Sequence, residues 1–236
     1  MFWMRSMLLV AAFGMAGCAT VPDGEKVAED PLQSYNRSMY AFNDTLDHYV
    51  MKPVAKGYRW VLPDFMRTGV TNFFSNISDL GTTVNDLLQG KGGQGAADGG
   101  RFLLNSTLGI LGLFDVATPV GLERHREDFG QTLAVWGWDS SAYFVLPLLG
   151  PSTLRDSLGL VGDYPWTPYP YMHTTLTKQL EVGTVDVVNT RSNLLAATNV
   201  LDTAALDPYA FVRDAYLQKR RNLIYDGHPP PLPDDE

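Results

Sequence analysis

The apolar stretches of this chain are too short and too often interrupted to cross a bilayer, yet unusually apolar for a surface. A spanning helix needs about 20 apolar residues to traverse a hydrocarbon core about 30 Å thick. The longest such run in the body, residues 102–120, is broken by Asn105, Ser106 and Asp115 and by glycine and proline. Wound as a helix of about 16 residues it would reach only ~24 Å, at 1.5 Å per residue. The next run, residues 142–149, is broken by Pro147. Two architectures accommodate such segments: core helices of a soluble domain, or helices lying within one leaflet as interfacial segments do. A hydrophobic content of 45%, with 11% aromatic residues, supplies apolar surface enough for a sizeable body of one or two domains.

Cys18 is the only cysteine, and it closes a leader-like segment. Arg5 supplies a positive n-region, residues 7–15 an apolar h-region, and Met15-Ala16-Gly17-Cys18 a small-residue cleavage site. A cysteine in that place resembles a bacterial lipobox, with Met15 where leucine is usual. The resemblance implies cleavage before Cys18 and a covalent N-acyl diglyceride lipid, including palmitate, on that residue. Ala19, where an aspartate would retain the protein, resembles the sorting signal of outer-membrane lipoproteins. At roughly 0.8 kcal/mol per buried CH2, three acyl chains hold a protein on a membrane essentially permanently. The compartment expected is the periplasmic side of an outer membrane, where ATP is not available and work is passive or driven by a partner. With no second cysteine, packing must supply the stability. The expected organisation is a signal peptide at 1–17, an acylated linker at 18–29, a helical domain at 30–226 and a disordered, Pro-rich acidic tail at 227–236. The formal net charge is −8, and Lys219-Arg220-Arg221 is the one dense basic run. Nucleic-acid binding, which needs a basic footprint, is therefore not expected.

Periodicity and caps predict a mostly α chain. Asp30, Pro31 and Gln33 form a helix-start pattern. Leu32, Tyr35, Met39, Phe42, Leu46 and Tyr49 then recur at helical steps and make one apolar face. Asn36, Arg37, Asn43, Asp44 and Asp47 make the opposite, polar face. Pro53 opens a short helix ending near Pro63. Asp64 caps a helix carrying Phe65, Val70, Phe73, Phe74 and Ile77, and Ser78 caps another carrying Leu80, Val84, Leu87 and Leu88. Residues 90–100 hold six glycines and read as a loop or a loosely wound helix start. Helices are predicted over 101–108 and 128–136, with Gly109-Ile110-Leu111-Gly112 as a kinking or close-packing stretch. Residues 138–149 admit a short hairpin or an extended loop. Ser152 caps a helix ended by Gly159 or Gly162, and three prolines make 164–171 extended. A long helix is predicted over 173–201, and Asp207-Pro208 caps the last one. The fold class expected is mostly α, a single domain of many short and medium amphipathic helices.

Chemistry-bearing motifs are missing. Gly90-Lys91-Gly92-Gly93-Gln94-Gly95 matches G-x-G-x-x-G in letters, but an amphipathic helix precedes it where a dinucleotide site needs a strand. There is no G-x-S-x-G elbow. His48, His125, His173 and His228 are scattered, and His125 with Glu127 and Asp128 lacks the spacing of helical metal ligands; it reads as a solvated charged loop. Asp44 and Asp47 share a helix face and read as ordinary polar-face residues rather than a catalytic pair. No enzyme activity, no cofactor and no metal are expected.

Several blocks, in order, resemble the MlaA (VacJ) lipoproteins. They are Asp30-Pro31-Leu32, Tyr35-Asn36-Arg37 and Phe42-Asn43; Asn72-Phe73-Phe74-Ser75-Asn76; Val84-Asn85-Asp86-Leu87-Leu88-Gln89-Gly90; Arg101 to Gly109; and Gly112-Leu113-Phe114-Asp115. They continue through Glu127-Asp128-Phe129-Gly130-Gln131 and Leu146-Pro147-Leu148-Leu149-Gly150-Pro151-Ser152 to Arg213-Asp214-Ala215-Tyr216. Ser140-Ser141-Ala142-Tyr143 departs from the family's usual Gly-Pro-Tyr. The resemblance implies a ring-like body of helices in the inner leaflet of the outer membrane, bound to a trimeric porin. It implies an amphipathic channel through which mislocalised phospholipids leave the outer leaflet for a periplasmic, MlaC-like carrier, maintaining lipid asymmetry by retrograde transport. A headgroup cannot cross bare hydrocarbon cheaply, so such a passage needs a polar lining. The face carrying Asn36, Arg37, Asn43, Asp44 and Asp47 is the candidate lining; a polar face simply in water is the open alternative. The rival functions are a structural, tethering outer-membrane lipoprotein without transport and, weakened by the missing nucleophile, a lipid-directed enzyme.

Overall fold

A computed structural model describes residues 30–167, 170, 175–198 and 205–231. Helix α1, Gln33–Leu46, runs through a π-helical turn, Asp47–Met51, into α2, Lys52–Val61. Pro53 has no N–H to give to the preceding turn, and the widened turn in front of it absorbs the missing bond. Helix α3, Asp64–Leu88, folds back through Gly90 at φ +79° into α4, Gly92–Thr107, and this pair makes the most extensive contact in the body. After a 3-10 turn at Thr118–Val120 come α5, Phe129–Val135, and an antiparallel hairpin of β1, Tyr143–Leu146, and β2, Gly150–Thr153. Tyr143 pairs with Thr153, and Leu146 with Gly150. Helix α6, Leu154–Asp163, crosses α5; α7, Leu176–Asn193, lies on α2 and α3; α8, Pro208–Ile224, closes on α5 and β2.

The expected fold class holds, with the hairpin as its only strands among the described residues. Asp207 caps its helix as read, accepting from the Ala210 N–H, and Asp128, read only as the start of a helix, caps α5 by accepting from the Gln131 N–H. The glycine-rich 90–100 stretch is helix from Gly92 onward. Several readings need correction. Asp64 does not cap α3: Pro63 holds that place, and the Asp64 carboxylate takes Arg67. Ser78 does not start a helix: α3 is continuous, and the Ser78 hydroxyl donates back to the Phe74 carbonyl. Asp30 does not cap α1; it is buried, accepting from Asn36 and from the Tyr209 hydroxyl. Thr153, not Ser152, caps α6: as the last residue of β2 it stands directly before the helix, and its hydroxyl accepts from the Asp156 N–H. Residues 164–166 wind into a 3-10 turn, since a proline in a first turn lacks only an N–H that no bond needs. The helix predicted over 173–201 is shorter: α7 starts after the extended Thr175 and ends at Asn193 with a turn at Leu194, while residues 173 and 201 themselves lie outside the described residues.

The polarity of the body is reversed. Among the described residues, the buried set holds eight apolar side chains and twenty-one polar or charged ones. Tyr143, Val145 and Tyr209, with Met39, Tyr40, Tyr216 and Leu217 against them, form a small aromatic core. The large apolar residues face outward, with Trp60 88%, Phe65 75% and Tyr49 74% exposed. On α1 the apolar-face residues Leu32, Phe42 and Tyr49 are exposed, while Asn36 from the polar face is fully buried. No helix among the described residues is long and apolar enough to cross a membrane.

Candidate functional site

The five polar residues of α1 and its π-turn mostly bind other elements. Asn36 Nδ2 donates to Asp30 Oδ1 (2.7 Å) and to the Tyr143 carbonyl (3.0 Å), and Asn36 Oδ1 accepts from the Val145 N–H (2.9 Å). Asn43 does the same at the hairpin turn, donating to the Leu146 carbonyl (2.9 Å) and accepting from the Leu148 N–H (2.7 Å). Two asparagines thus serve one strand as an extra edge partner. Arg37 pairs with Asp207 (2.7 Å) and stacks over the Tyr209 ring. Asp47 takes Arg191 in a two-oxygen grip (2.5 and 2.7 Å), tying the π-turn to α7. Asp44 is exposed. None of the five lines the cavity between α3, α7 and α8 described below. Cys18 lies outside the described residues.

The α3–α4 pair is joined to the 121–128 loop by buried charge. Asp79, 1% exposed, takes the Arg124 Nε (2.9 Å) and lies 3.7 Å from the Arg101 Nε. Burial still outweighs both guanidiniums and lifts its carboxyl to about 6. Asp98 holds His125 Nδ1 at 2.7 Å, and Glu127 is bridged to Asp226 by Lys91 (3.1 and 2.6 Å). The loop around His125 is therefore not the solvated charge run that was read from sequence. Asp86, fully buried on α3, has no hydrogen-bond partner on either carboxylate oxygen. Burial first, then the charges of Asp98 and Glu127, raise its carboxyl to about 7. Nothing in the sequence marked Asp79, Asp86 or Asp98; each stands in an otherwise apolar helical pattern, which is the signal that was available.

A second joint links α5, α6 and α8. Arg220 binds Asp128 and also Asp156 (2.9 Å), Arg155 turns onto Asp156 (3.1 Å), and the Tyr216 hydroxyl donates to Asp156 (2.8 Å). Asp163, at the end of α6, accepts from the Phe129 N–H (3.0 Å) and from Asn85 (2.9 Å). Asn189 of α7 accepts from the Tyr58 hydroxyl (3.1 Å) and donates to Thr71 (2.9 Å).

Between these joints lies a cavity of about 580 Å³, walled by α3, α7, α8, the 3-10 turn and the 121–128 loop. Its lining mixes apolar side chains, Phe74, Ile77, Trp166 and Leu223, with charged ones, Arg124, Arg126, Asp128, Asp186, Lys219 and Arg220. A space lined by both kinds of group can accept an amphipathic molecule. No group of acids, histidines and cysteines among the described residues is arranged to hold a metal ion.

Comparison with known proteins agrees with this architecture. The family described as MlaA lipoprotein matches residues 28–223. The chain is 36% identical over 233 residues to the intermembrane phospholipid transport system lipoprotein MlaA of Escherichia coli, covering 95% of this chain and 90% of that protein. It is 31% identical over 228 residues to the protein of the same name in Haemophilus influenzae, covering 93% and 89%. A solved structure described as the structural basis for maintenance of bacterial outer membrane lipid asymmetry superposes with a TM-score of 0.73 at 35% identity, covering 83% of this chain and 98% of that one. By sequence along almost its whole helical body and by fold, the chain belongs to the MlaA lipoprotein family.

Proposed function

We propose that this chain removes mislocalised phospholipids from the outer leaflet of the outer membrane and passes them to a periplasmic carrier, so maintaining lipid asymmetry. The observation that carries the reading is the reversed polarity. An apolar exterior around a polar, ion-paired interior is unfavourable in water but suits a body sunk in acyl chains. With no span to cross the membrane, such a body lies in one leaflet. An N-acyl diglyceride on Cys18, after removal of residues 1–17, holds it on the periplasmic side. Residues 18–29 link that lipid to the body, and residues 227–236 are a Pro-rich acidic tail. A trimeric porin seats the exposed apolar rim, and an MlaC-like carrier receives the lipid.

The cavity offers what a passage needs: charged side chains for headgroups and apolar ones for chains. Transport is passive here and involves no covalent chemistry by the protein. The α1 residues enter this reading in two ways. Asn36, Arg37, Asn43 and Asp47 keep α1 on the hairpin, α7 and α8, and Asp44, exposed and outside this cavity, meets a headgroup only at the surface of the body.

The test is a strain lacking the chromosomal copy, assayed for surface phospholipid and for sensitivity to detergent and chelator. The wild-type chain is expected to restore the barrier, and Cys18→Ala at matched expression to fail. A tethering lipoprotein without transport would leave surface phospholipid unchanged on deletion, and that result would overturn the reading.

A further inference from the structure

The basic run Lys219-Arg220-Arg221 has three fates in the fold. Arg220 is buried on Asp128 and Asp156, and Arg221 donates to the Pro230 carbonyl. Lys219 lines the cavity and makes no ion pair or hydrogen bond to a described residue. Arg126, from the loop, lines the same cavity; only its backbone carbonyl is engaged, by Gln131 (2.8 Å). Most other charges in the wall are already answered. Arg124 is on Asp79, Glu127 on Lys91, Asp128 on Arg220, and Asp163 accepts from Asn85 and Phe129. Asp186 is the exception: Thr190 donates to its carboxylate, and no described cation pairs with it. The cavity therefore presents two unpaired cations against one unpaired carboxylate, beside the apolar side chains of Phe74, Ile77 and Trp166.

We propose that Arg126 and Lys219 form a transit site for the phosphodiester of a lipid headgroup inside this cavity. The proposal rests on the lipid-passage reading above and names the side chains that reading leaves open. A guanidinium and an ammonium each make charge-assisted hydrogen bonds to phosphate oxygens. Because neither is engaged in an internal ion pair, binding breaks nothing. Both are solvent-accessible, so the attraction is screened and modest, which suits a site that must release its occupant. Asp186 opposes further negative charge, leaving a net charge of one cation to match one phosphodiester. Free phosphate offers the same oxygens but no chains for the apolar wall.

The full acylated protein in detergent micelles is titrated with dihexanoyl phosphatidylethanolamine, dihexanoyl phosphatidylglycerol and inorganic phosphate. The Arg126→Gln/Lys219→Gln double variant is expected to bind both lipids roughly tenfold more weakly, and Lys219→Arg to bind as wild type. Asp186→Asn should strengthen the anionic glycerol lipid relative to the ethanolamine lipid, and phosphate should compete only at large excess. Unchanged affinity in the double variant, or displacement of lipid by equimolar phosphate, would overturn the site. The two readings fail separately. If the wild-type chain does not restore the barrier in the deletion strain, lipid passage fails whatever the titration gives. If wild type restores it while the double variant binds lipid equally well, only the site fails.

Discussion

Asn36 uses its whole amide inside the molecule, donating to Asp30 and Tyr143 and accepting from Val145. Asn36→Leu would remove the partner of one oxygen of the buried Asp30 carboxylate, of a strand carbonyl and of a strand N–H at once. Unpaired buried polar groups cost about 1–3 kcal/mol each, so a loss of roughly 3 kcal/mol or more is expected in thermal unfolding in detergent. Asp86 gives the opposite sign. Its folded carboxyl titrates at about 7 against 3.8 as an ordinary aspartate, so between these values the folded state holds a proton that the unfolded state has lost. Its contribution to stability is fully present below pH 3.8 and is lost as pH rises through 7, with a slope of at most about 1.4 kcal/mol per pH unit. The groups that act on it are Asp98, Glu127, His125 and Lys91. Asp86→Asn should flatten this slope and leave the protein more stable than wild type at pH 8, measured as unfolding midpoint against pH. At this scale the sequence was least legible. A polar residue on a helix reads as solvent-facing, and Asn36 and Asp86 are buried because partners far away in the chain, or a raised proton affinity, make burial tolerable.

At the scale of elements, local signals served well where they were local. The cap at Asp207 depends on residues three apart, and it holds. Ser78 misled because serine inside a helix can return its hydroxyl to the carbonyl four residues back, as it does to Phe74. The crossing of α5 and α6 was misread: Gly159 and Gly162, expected to end α6, lie inside it, and the helix runs on to Asp163. A methyl group on Gly159 would stand 2.6 Å from the Gly130 nitrogen, and one on Gly162 2.3 Å from the Phe129 ring. Backbone cannot yield as a flexible side chain can, so Gly159→Ala should part the two helices and loosen the Arg220–Asp156 joint. The expected cost is about 2 kcal/mol, read as a lowered unfolding midpoint and faster tryptic cleavage. Gly92→Ala, with open space around it, serves as the neutral comparison.

For the whole molecule, periodicity predicted amphipathic helices correctly but could not tell which face turns inward. That choice depends on the solvent, and a chain in acyl chains reverses the choice made in water. The consequence is testable: freed of lipid and detergent, the mature body should aggregate, because contiguous exposed apolar area beyond a few hundred Å² is rare in soluble monomers. A monodisperse detergent-free monomer in sedimentation would count against immersion. The bond between Asp30 and Tyr209 spans 179 positions of chain, and the Asp30–Arg213 contact 183. Closing loops of that length is entropically slow, and contacts so distant in sequence lower folding rates. A growing chain can wind α1, and even pair α3 with α4, long before Asp30 meets its partners. Helix α8, so far along the chain, therefore completes the bonds of the first described residue, and assembly of this part of the interior waits until α8 is available.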